Sequence, residues 1–313
     1  MGQGEKAVVT GGAGFIGSNI VDELVRRGYQ VTVLDNLSTG KRENIEHLLK
    51  NGQVEFVEGS ITDLALLQEA LEGAHYVFHE AAVASVPRSI DRPLDSHEAN
   101  ATGILNVLLA ARDNGVRKVL YASSSSVYGD TPTLPKTEAM PPNPRSPYAV
   151  SKIVGEYYCG VFHEVYGLPT VSLRYFNVFG PRQDPESQYS AVIPSFISRI
   201  AQGSPPVIFG DGEQTRDFTF VRDVVSANIL AAESKAVGVF NIGSGSRNSL
   251  NELATLIIKL MGKNLQPVYE SPRRGDVKDS LADVSRARQF GHESRWTLEE
   301  GLKETIKAMI DRA

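Results

Sequence analysis

The segment that most constrains the fold is a glycine loop between a short apolar strand and a helix. Residues 6–10 (KAVVT) form the predicted strand, which runs directly into GGAGFIG at 11–17. A helical pattern follows and stops at Gly28, and a second strand is predicted over 30–35 (QVTVLD). Glycines spaced three apart allow a tight turn, close approach of backbone to a pyrophosphate, and packing of helix on strand. The segment therefore predicts a βαβ unit that binds a dinucleotide, although a glycine pattern alone could mark only a turn.

Asp35, at the end of the second strand, bears on which dinucleotide is bound. A carboxylate at that position accepts hydrogen bonds from the adenosine ribose hydroxyls and repels a 2′-phosphate, which favours NAD over NADP. Lys41 and Arg42 are near enough in sequence to keep NADP open, and a solvated strand end is the alternative interpretation of Asp35.

Strands and helices alternate along the following segment of the chain. Further strands are predicted at 53–57, 75–79, 117–122, 169–174 and 237–242. Helical patterns separate most of them, including 98–113 and 148–166. This alternation predicts an α/β fold with a doubly wound parallel sheet covered by helices on both faces.

From about residue 178 the sequence pattern changes from alternating strands and helices to loops rich in glycine and proline. We therefore expect an NAD-binding Rossmann domain over 1–177 and about 218–245, with a smaller C-terminal substrate-binding lobe over about 178–217 and 246–313. The loops carry dispersed arginines that indicate either a solvated surface or a phosphate clamp: Arg182, Arg216, Arg273 and Arg274. A capping box, Thr297 with Glu300, predicts a final helix.

Composition and charge exclude several classes of protein. The 313 residues are 41% hydrophobic and 22% charged, as in an ordinary globular protein. The net charge of -5 argues against a nucleic-acid partner, because phosphates call for a basic surface. Cys159 is the only cysteine, so neither an intrachain disulfide nor a cysteine metal cluster is expected, and no metal is predicted. No signal peptide or membrane-spanning apolar run is evident, so we expect a cytoplasmic enzyme or binding protein without a membrane partner.

The segment SPYAVSK, at 146–152, places a tyrosine and a lysine on one face of a helix. Ser146 suits the N-cap and Pro147 the first helical position, so Tyr148 and Lys152 fall at i and i+4. A serine cluster at 123–126 ends the preceding strand. A tyrosine and a lysine facing serine hydroxyls suit a base that takes a proton from an alcohol. About 0.4 Tyr-x-x-x-Lys pairs would arise by chance in a chain of this composition. The interpretation therefore depends on the neighbouring segments and not on this pair alone.

The helix predicted over 148–166 is apolar nearly all round, which is more than one sheet face can cover. Deep burial and contact with a second subunit are the two explanations. We favour the second and predict a homodimer formed through helices 98–113 and 148–166.

These features together resemble the extended short-chain dehydrogenase/reductases, and more closely their nucleotide-sugar 4-epimerases, the UDP-galactose and UDP-N-acetylhexosamine 4-epimerase group. The resemblance covers essentially the whole chain. It rests on DNLSTG (35–40), HEAA (79–82), SVPRSI (85–90), SSSSVYG (123–129), SPYAVSK (146–152), LRYFNVFGPRQDP (173–185), FGDGEQTRDF (209–218) and RGDVKDSLAD (274–283).

The resemblance implies that NAD is the cofactor and that it stays tightly bound through turnover. The residues that the family pattern assigns to it are Gly11, Gly14, Phe15, Ile16, Gly17, Asp35, Asn36, Ser38, Gly40, Ser60, Ile61, Ala81, Ala82, Asn100, Tyr148, Lys152 and Tyr175. Two positions depart from the pattern. Ser60 stands where the family usually has an aspartate that contacts adenine, and Ala84 where some members place a lysine.

The resemblance also implies a UDP-sugar substrate, with Ser124, Tyr148 and Lys152 as the catalytic residues. Oxidation at C4 of the sugar would give a 4-keto intermediate that takes the hydride back on its other face. Lys152 and the positive nicotinamide ring are expected to ionise Tyr148. The residues implied to bind substrate are Ser125, Ser126, Asn177, Val192, Phe209, Arg216, Arg273, Asp276 and Ser280.

Ser280 occupies the position that borders the C2 substituent of the sugar in this family. A small residue there leaves room for an N-acetyl group. The sequence thus predicts interconversion of UDP-GlcNAc with UDP-GalNAc and of UDP-Glc with UDP-Gal.

Three other functions compete with this prediction. A 4,6-dehydratase needs an acid and a base directly after Ser124, which Ser125 and Ser126 do not supply. A UDP-glucuronate epimerase or decarboxylase, or another extended nucleotide-sugar enzyme, stays open because Arg88 could reach a sugar carboxylate. A non-catalytic NAD-sensing protein is disfavoured by the intact serine, tyrosine and lysine set.

Overall fold

The structure is a computed structural model, and it describes residues 4–184, 191–272 and 277–311. Thirteen strands occur in this part of the chain. They are β1 (Lys6–Thr10), β2 (Gln30–Asp35), β3 (Val54–Glu58), β4 (Tyr76–His79), β5 (Lys118–Ser124), β6 (Thr170–Tyr175), β7 (Val178–Phe179), β8 (Val207–Phe209), β9 (Thr215–Arg216), β10 (Thr219–Phe220), β11 (Gly238–Ile242), β12 (Asn248–Ser249) and β13 (Val268–Glu270).

Eleven α-helices occur in the same described residues. They are α1 (Phe15–Arg26), α2 (Glu46–Lys50), α3 (Leu64–Ala70), α4 (Val86–Asp91), α5 (Pro93–His97), α6 (Gly103–Asp113), α7 (Pro147–Tyr166), α8 (Val192–Ala201), α9 (Val221–Glu233), α10 (Leu250–Leu260) and α11 (Leu298–Ile310). Short 3-10 turns cover Arg42–Asn44, Ser125–Tyr128 and Arg286–Phe290.

Seven strands form one parallel sheet in the order β11-β6-β5-β4-β1-β2-β3. The predicted fold class is therefore confirmed. The strand order reverses direction beside β1, and at such a switch point the carboxyl ends of parallel strands line a ligand-binding crevice. Every predicted strand is present, with ends that differ by two residues or fewer.

Helices cover both faces of the sheet. One buried cluster joins β1, β2, β6 and β11 to α1 and α9, and a second joins the opposite face to α3, α6 and α7. The helix predicted over 98–113 is α-helical only from Gly103, because Glu98–Thr102 form a π-helical turn. Such turns occur frequently at functional sites, and Asn100, discussed below, lies in this one.

The segment after β6 contributes three two-stranded pairs, β7 with β10, β8 with β13 and β9 with β12. Helices α8, α10 and α11 pack against one another beside them. Asp217, which is fully buried, accepts hydrogen bonds from the backbone N–H groups of Ser244, Gly245 and Ala282 at 2.7 to 3.1 Å. One carboxylate thus ties three segments together. The division into two domains stays a prediction.

None of the described helices has the length and apolarity that crossing a membrane demands.

Candidate active site

The glycine loop has no space for side chains where it turns. Gly11 has φ +70°, and a Cβ on it would lie 2.6 Å from the backbone nitrogen of Ala81. A Cβ on Gly17 would overlap the carbonyl oxygen of Gly11. Helix α1 begins immediately after Gly14, which has no side chain to cap the first backbone N–H groups. A loop of bare backbone at an open helix N-terminus fits the pyrophosphate of a dinucleotide.

Asp35 is buried, with 6% of its surface exposed, so its interpretation as a solvated strand end is wrong. Its carboxylate accepts hydrogen bonds from the backbone nitrogens of Ala13 at 3.0 Å and Leu37 at 2.8 Å. Gly40 packs on the same carboxylate, since a Cβ there would lie 2.8 Å from either oxygen. Each oxygen keeps a further lone pair that can accept a ribose hydroxyl.

The remaining residues predicted around the adenosine lie next to this carboxylate or after β3. Asn36 accepts a hydrogen bond from the backbone nitrogen of Ser38 at 3.1 Å. The Ser60 hydroxyl bonds to the Thr62 hydroxyl at 2.8 Å, and Ile61 is buried in the core. The Ile61 side chain therefore faces the protein, and its carbonyl oxygen accepts a hydrogen bond from Asn106 at 3.3 Å, so a cofactor contact would have to use its backbone N–H group.

Helix α7 begins as predicted, and two serines hold its first turn. The Ser146 hydroxyl accepts a hydrogen bond from the Ala149 nitrogen at 3.2 Å, with Pro147 in the first turn. The Ser89 hydroxyl, on α4, accepts one from the Tyr148 nitrogen at 3.1 Å. The backbone that carries Tyr148 is thus tied to a second helix.

The structure brings together the three residues predicted to be catalytic. The Ser124 hydroxyl, at the end of β5, lies near enough to the Tyr148 hydroxyl to lower the pKa of that tyrosine. The Lys152 ammonium donates to the Ala122 carbonyl oxygen at 2.7 Å and lies 5.8 Å from the centroid of the Tyr148 ring. Lys152 is buried and in the next helical turn after Tyr148. This arrangement can move a proton at the Tyr148 oxygen.

Burial dominates the electrostatics of this set. It raises the pKa of Tyr148 above its usual value, while the Ser124 hydroxyl lowers that pKa and the Glu80 carboxylate raises it. Burial also lowers the pKa of Lys152 to about 8, against the charges of Glu80 and Glu156. The expectation that Lys152 would depress the pKa of Tyr148 is therefore not met by the protein alone, because desolvation of the phenolate outweighs the other effects.

Asn100 connects the loop after β4 to α7. Its side-chain oxygen accepts from the Val83 nitrogen at 2.8 Å, and its amide donates to the Ser151 hydroxyl at 3.0 Å. Ser151 in turn donates to the Tyr148 carbonyl oxygen at 2.8 Å. The Asn100 amide is thus occupied by the protein's own groups, and its contact with the cofactor stays a prediction.

Several residues predicted to bind substrate line loops after β5 and β6. The Ser126 hydroxyl, in the turn that follows β5, is buried and has no hydrogen-bond partner within the described ranges. Asn177 has a left-handed backbone, with φ +22°, and its amide donates to the Asp217 carbonyl oxygen at 3.3 Å. Unusual backbone of this kind is concentrated at functional sites.

The other predicted substrate residues lie on the segments that follow. Val192 begins α8, and Phe209 ends β8. The Arg216 guanidinium donates to the Lys278 carbonyl oxygen at 3.1 Å, and the Ser280 nitrogen donates to the Thr215 carbonyl oxygen at 3.1 Å. The structure thus brings Arg216 and Ser280 to one wall. Arg273, Arg274 and Asp276 lie outside the described residues.

Arg182 does not belong to a solvated surface. Its guanidinium pairs with Asp22 on α1 at 2.5 Å, and 15% of its side chain is exposed. It therefore fixes the loop after β7 against the helix that follows the glycine loop.

Comparison with known proteins agrees with this geometry. The model of the NAD dependent epimerase/dehydratase family matches residues 7–243. The chain belongs to this family, which is of the extended short-chain dehydrogenase/reductase type.

Three solved structures show how close the similarity is. A UDP-N-acetylglucosamine 4-epimerase from Methanobrevibacter ruminantium M1, in complex with UDP-N-acetylmuramic acid, is 44% identical, with 99% of this chain and 100% of that chain covered and a TM-score of 0.96. A UDP-glucose 4-epimerase from Thermotoga maritima, with UDP-glucose, is 41% identical over 98% and 99% of the two chains, with a TM-score of 0.94. A UDP-glucuronic acid 4-epimerase from Bacillus cereus, with UDP-glucuronic acid and NAD, is 31% identical over 98% and 100%, with a TM-score of 0.92.

Because the chain belongs to the NAD dependent epimerase/dehydratase family, its cofactor is NAD. The open N-terminus of α1, the glycine loop and the buried Asp35 fit its pyrophosphate and ribose. The backbone N–H groups of Phe15 and Ile16, in the first turn of α1, would hold the phosphates, and Asp35 the adenosine ribose. Gly11 and Gly14 would line the phosphates without donating, because their N–H groups already bond to the carbonyl oxygens of Leu34 and Gly11.

Sequence reasoning predicted Tyr175 as a cofactor residue but missed the polar residues that surround it and the catalytic set: Glu80, Asn228, Glu156 and Arg174. Tyr175 donates a hydrogen bond to Glu80 at 2.8 Å and accepts one from Asn228 at 2.7 Å. Glu156 forms a two-bond ion pair with Arg174 at 2.6 and 2.8 Å. A charged residue at the end of an apolar strand, as in HEAA, was the one signal that the sequence carried for Glu80.

Proposed function

We propose that this enzyme interconverts UDP-GlcNAc with UDP-GalNAc and UDP-Glc with UDP-Gal, by inverting the configuration at C4 of the sugar. The observation that carries the proposal is the meeting of Ser124, Tyr148 and Lys152 at the end of β5. The names of the 4-epimerases that share 44% and 41% of its residues over nearly the full chain support it.

The chain's own residues move the proton of the reacting hydroxyl. Bound NAD supplies the hydride acceptor and donor at C4, together with a positively charged ring. The Tyr148 oxygen takes the proton of the C4 hydroxyl as the ketone forms, and it returns that proton after the sugar has turned. Ser124 hydrogen-bonds the reacting oxygen during both steps. Positioned acid–base groups of this kind contribute about two to four orders of magnitude in rate.

The charge balance explains why Lys152 must stay protonated. An unperturbed tyrosine, with a pKa of about 10, has to lose about 3 units, or about 4 kcal/mol, to be ionised near pH 7. Burial of Tyr148 raises its pKa and adds to this cost. A cation about 5 Å away contributes about 3 kcal/mol at an effective dielectric near 20. Because the pKa of Lys152 is about 8, its ammonium is charged at neutral pH and can contribute this stabilisation.

The residues after Ser124 favour epimerisation over dehydration. Ser125 and Ser126 follow it in a 3-10 turn. Their hydroxyls can hydrogen-bond a sugar, but they cannot supply the acid and base that removal of the C6 hydroxyl needs. The 4-keto sugar is therefore left to be reduced again.

Ser280 supports the acceptance of acetylated sugars. It is buried, with 8% of its surface exposed, in the wall that Arg216 and Thr215 also form. A serine at this place leaves room for an acetamido group, and its hydroxyl can hydrogen-bond that group. Phe209 and Arg216 would contact the uracil and the diphosphate, since guanidinium groups suit phosphate through paired hydrogen bonds. Val192, Arg273 and Asp276 complete the proposed nucleotide site.

A UDP-glucuronate epimerase or decarboxylase is the second candidate. The similarity to the Bacillus cereus UDP-glucuronic acid 4-epimerase supports it. Arg88, the cation that could bind a sugar carboxylate, already lies 4.0 Å from Asp95. This partner partly neutralises it, so we place the glucuronate activity second.

The test is to incubate the purified enzyme separately with UDP-GlcNAc, UDP-Glc and UDP-GlcA and to identify the products by chromatography and NMR. We expect the C4 epimers of the first two. Turnover of UDP-GlcA alone would replace the proposal with the second candidate. No turnover of any of the three would refute both.

We further propose a homodimer. The side chains of α7 that face away from the sheet are apolar and exposed, at 62% for Tyr157, 48% for Val161 and 66% for Val165. Leu94 on the neighbouring α5 is 79% exposed. A second copy packed on this face, through α6 and α7, would bury these residues.

A further inference from the structure

Glu80 is the first residue after β4, and the sheet places it beside the backbone that holds Lys152. In the register of β4 and β5, His79 lies opposite Tyr121, so the next residues, Glu80 and Ala122, are neighbours. The Ala122 carbonyl oxygen accepts the Lys152 ammonium at 2.7 Å. Glu80 is thus about one strand spacing, ~4.8 Å, from the backbone to which Lys152 is bound.

One neighbour bonds to the Glu80 carboxylate, and a second residue holds that neighbour in place. Tyr175, at the end of β6, reaches across the end of β5 and donates its hydroxyl to Glu80 at 2.8 Å. Asn228 on α9 donates to the Tyr175 oxygen at 2.7 Å and to the Val224 carbonyl oxygen at 2.9 Å. The carboxylate is therefore held in one place rather than free to turn toward solvent.

No cation neutralises this carboxylate by contact. Within residues 4–184, 191–272 and 277–311, no ion pair includes Glu80, whereas Glu156 is paired with Arg174. His79, the neighbour on its own strand, has a pKa lowered to about 3 by burial and adds no charge. The charge of Glu80 therefore acts on Lys152 and Tyr148 from α7 and on Tyr175 from β6.

We propose that Glu80 is a positioning residue whose carboxylate sets the pH range in which the Tyr148 and Lys152 pair works. Its negative charge makes the Tyr148 proton harder to remove and the Lys152 ammonium easier to keep. Both effects raise a pKa, that of Tyr148 and that of Lys152. The pH range in which the enzyme is active therefore lies higher than it would without the Glu80 charge. The role rests on the proposed function, in which Tyr148 is the base.

The test is the pH profile of kcat for the holoenzyme and its Glu80→Gln variant. Glutamine keeps an oxygen that accepts the Tyr175 hydroxyl and removes only the charge. We expect both limbs of the profile to move to lower pH by about one unit, the order of magnitude that one nearby charge produces at an effective dielectric near 20. Burial raises the pKa of Glu80 to about 7, so it is fully ionised only above that pH and the alkaline limb moves further.

A second measurement does not depend on turnover. The titration of Lys152 is followed by NMR in holoenzyme labelled with 13C-lysine, with Lys152→Met to assign the signal. In Glu80→Gln this titration should also move to lower pH by about one unit. If the enzyme epimerises no UDP-sugar, the proposed function fails, while this titration still decides the role of Glu80.

Two control variants separate charge from structure. Glu58→Gln makes the same change at an exposed carboxylate that ends β3 in the same sheet, and it should move neither limb. Glu80→Asp keeps the charge and shortens the reach to Tyr175, so it should keep the limbs near those of wild type. Unmoved limbs and an unmoved Lys152 titration in Glu80→Gln would overturn the proposal, as would equal shifts in Glu58→Gln.

Discussion

The ion pair between Glu156 and Arg174 should be one of the most sensitive points of this fold. Both side chains are nearly inaccessible, at 3% and 4% exposure, and two hydrogen bonds join them. Ser123, the neighbour of the catalytic Ser124, also donates to Glu156, and the Arg174 guanidinium lies 4.7 Å from the centroid of the Tyr128 ring. The pair therefore lies directly beneath the catalytic end of β5.

Arg174→Met should leave the Glu156 carboxylate buried with only Ser123 to satisfy it. Removing one partner of a buried pair costs about 3–5 kcal/mol. For 313 residues at ~2.1 cal/mol/K each, the unfolding entropy is about 0.66 kcal/mol/K, so this loss corresponds to a fall in Tm of about 5–8 °C. The assay is denaturant and thermal unfolding at one fixed NAD concentration, because a bound ligand shifts apparent stability.

The double variant Arg174→Met/Glu156→Leu should recover most of this loss, since no unpaired charge is then buried. A residual loss of about 1 kcal/mol is expected because the Ser123 hydroxyl loses its acceptor. Lys303→Met, which breaks an exposed pair with Glu299, is the control and should cost under about 1 kcal/mol. If Arg174→Met costs no more than this control, or the double variant is less stable than the single one, the reasoning is refuted.

Four further predictions follow from the site and its surface. Tyr148→Phe keeps the packing of the ring and removes the base, so kcat should fall by at least about two orders of magnitude with NAD content unchanged; a variant that keeps a large part of wild-type turnover would remove Tyr148 as the base. Asp35→Ala should weaken NAD retention and relax exclusion of NADP, measured by cofactor release and by binding of both cofactors; unchanged discrimination would contradict the ribose contact. Ser280→Tyr should abolish turnover of UDP-GlcNAc and spare UDP-Glc, compared by initial rates; normal turnover of UDP-GlcNAc would contradict the proposed wall. Sedimentation at micromolar concentration should show a dimer that Val161→Asp dissociates, and a monomeric wild type would contradict the interface.

The sequence by itself determined the parts of this protein that depend on local signals. The glycine loop, its flanking strand and helix, and the start of α7 at Ser146 and Pro147 are all present where they were predicted. Backbone freedom, helix capping and apolar periodicity act over a few residues, so each can be read from a short window. The meeting of Tyr148 with Ser124 was predictable through the family pattern and not through spacing.

The tertiary structure alone decided the electrostatics of the site. Glu80, Tyr175 and Asn228 come from three elements far apart in the chain, and only the strand order β6-β5-β4 brings the first two together. The direction in which the pKa of Tyr148 is shifted also required the structure, because burial opposes its ionisation more than any neighbour favours it. Desolvation depends on everything packed around a group, and no local stretch of sequence contains that information.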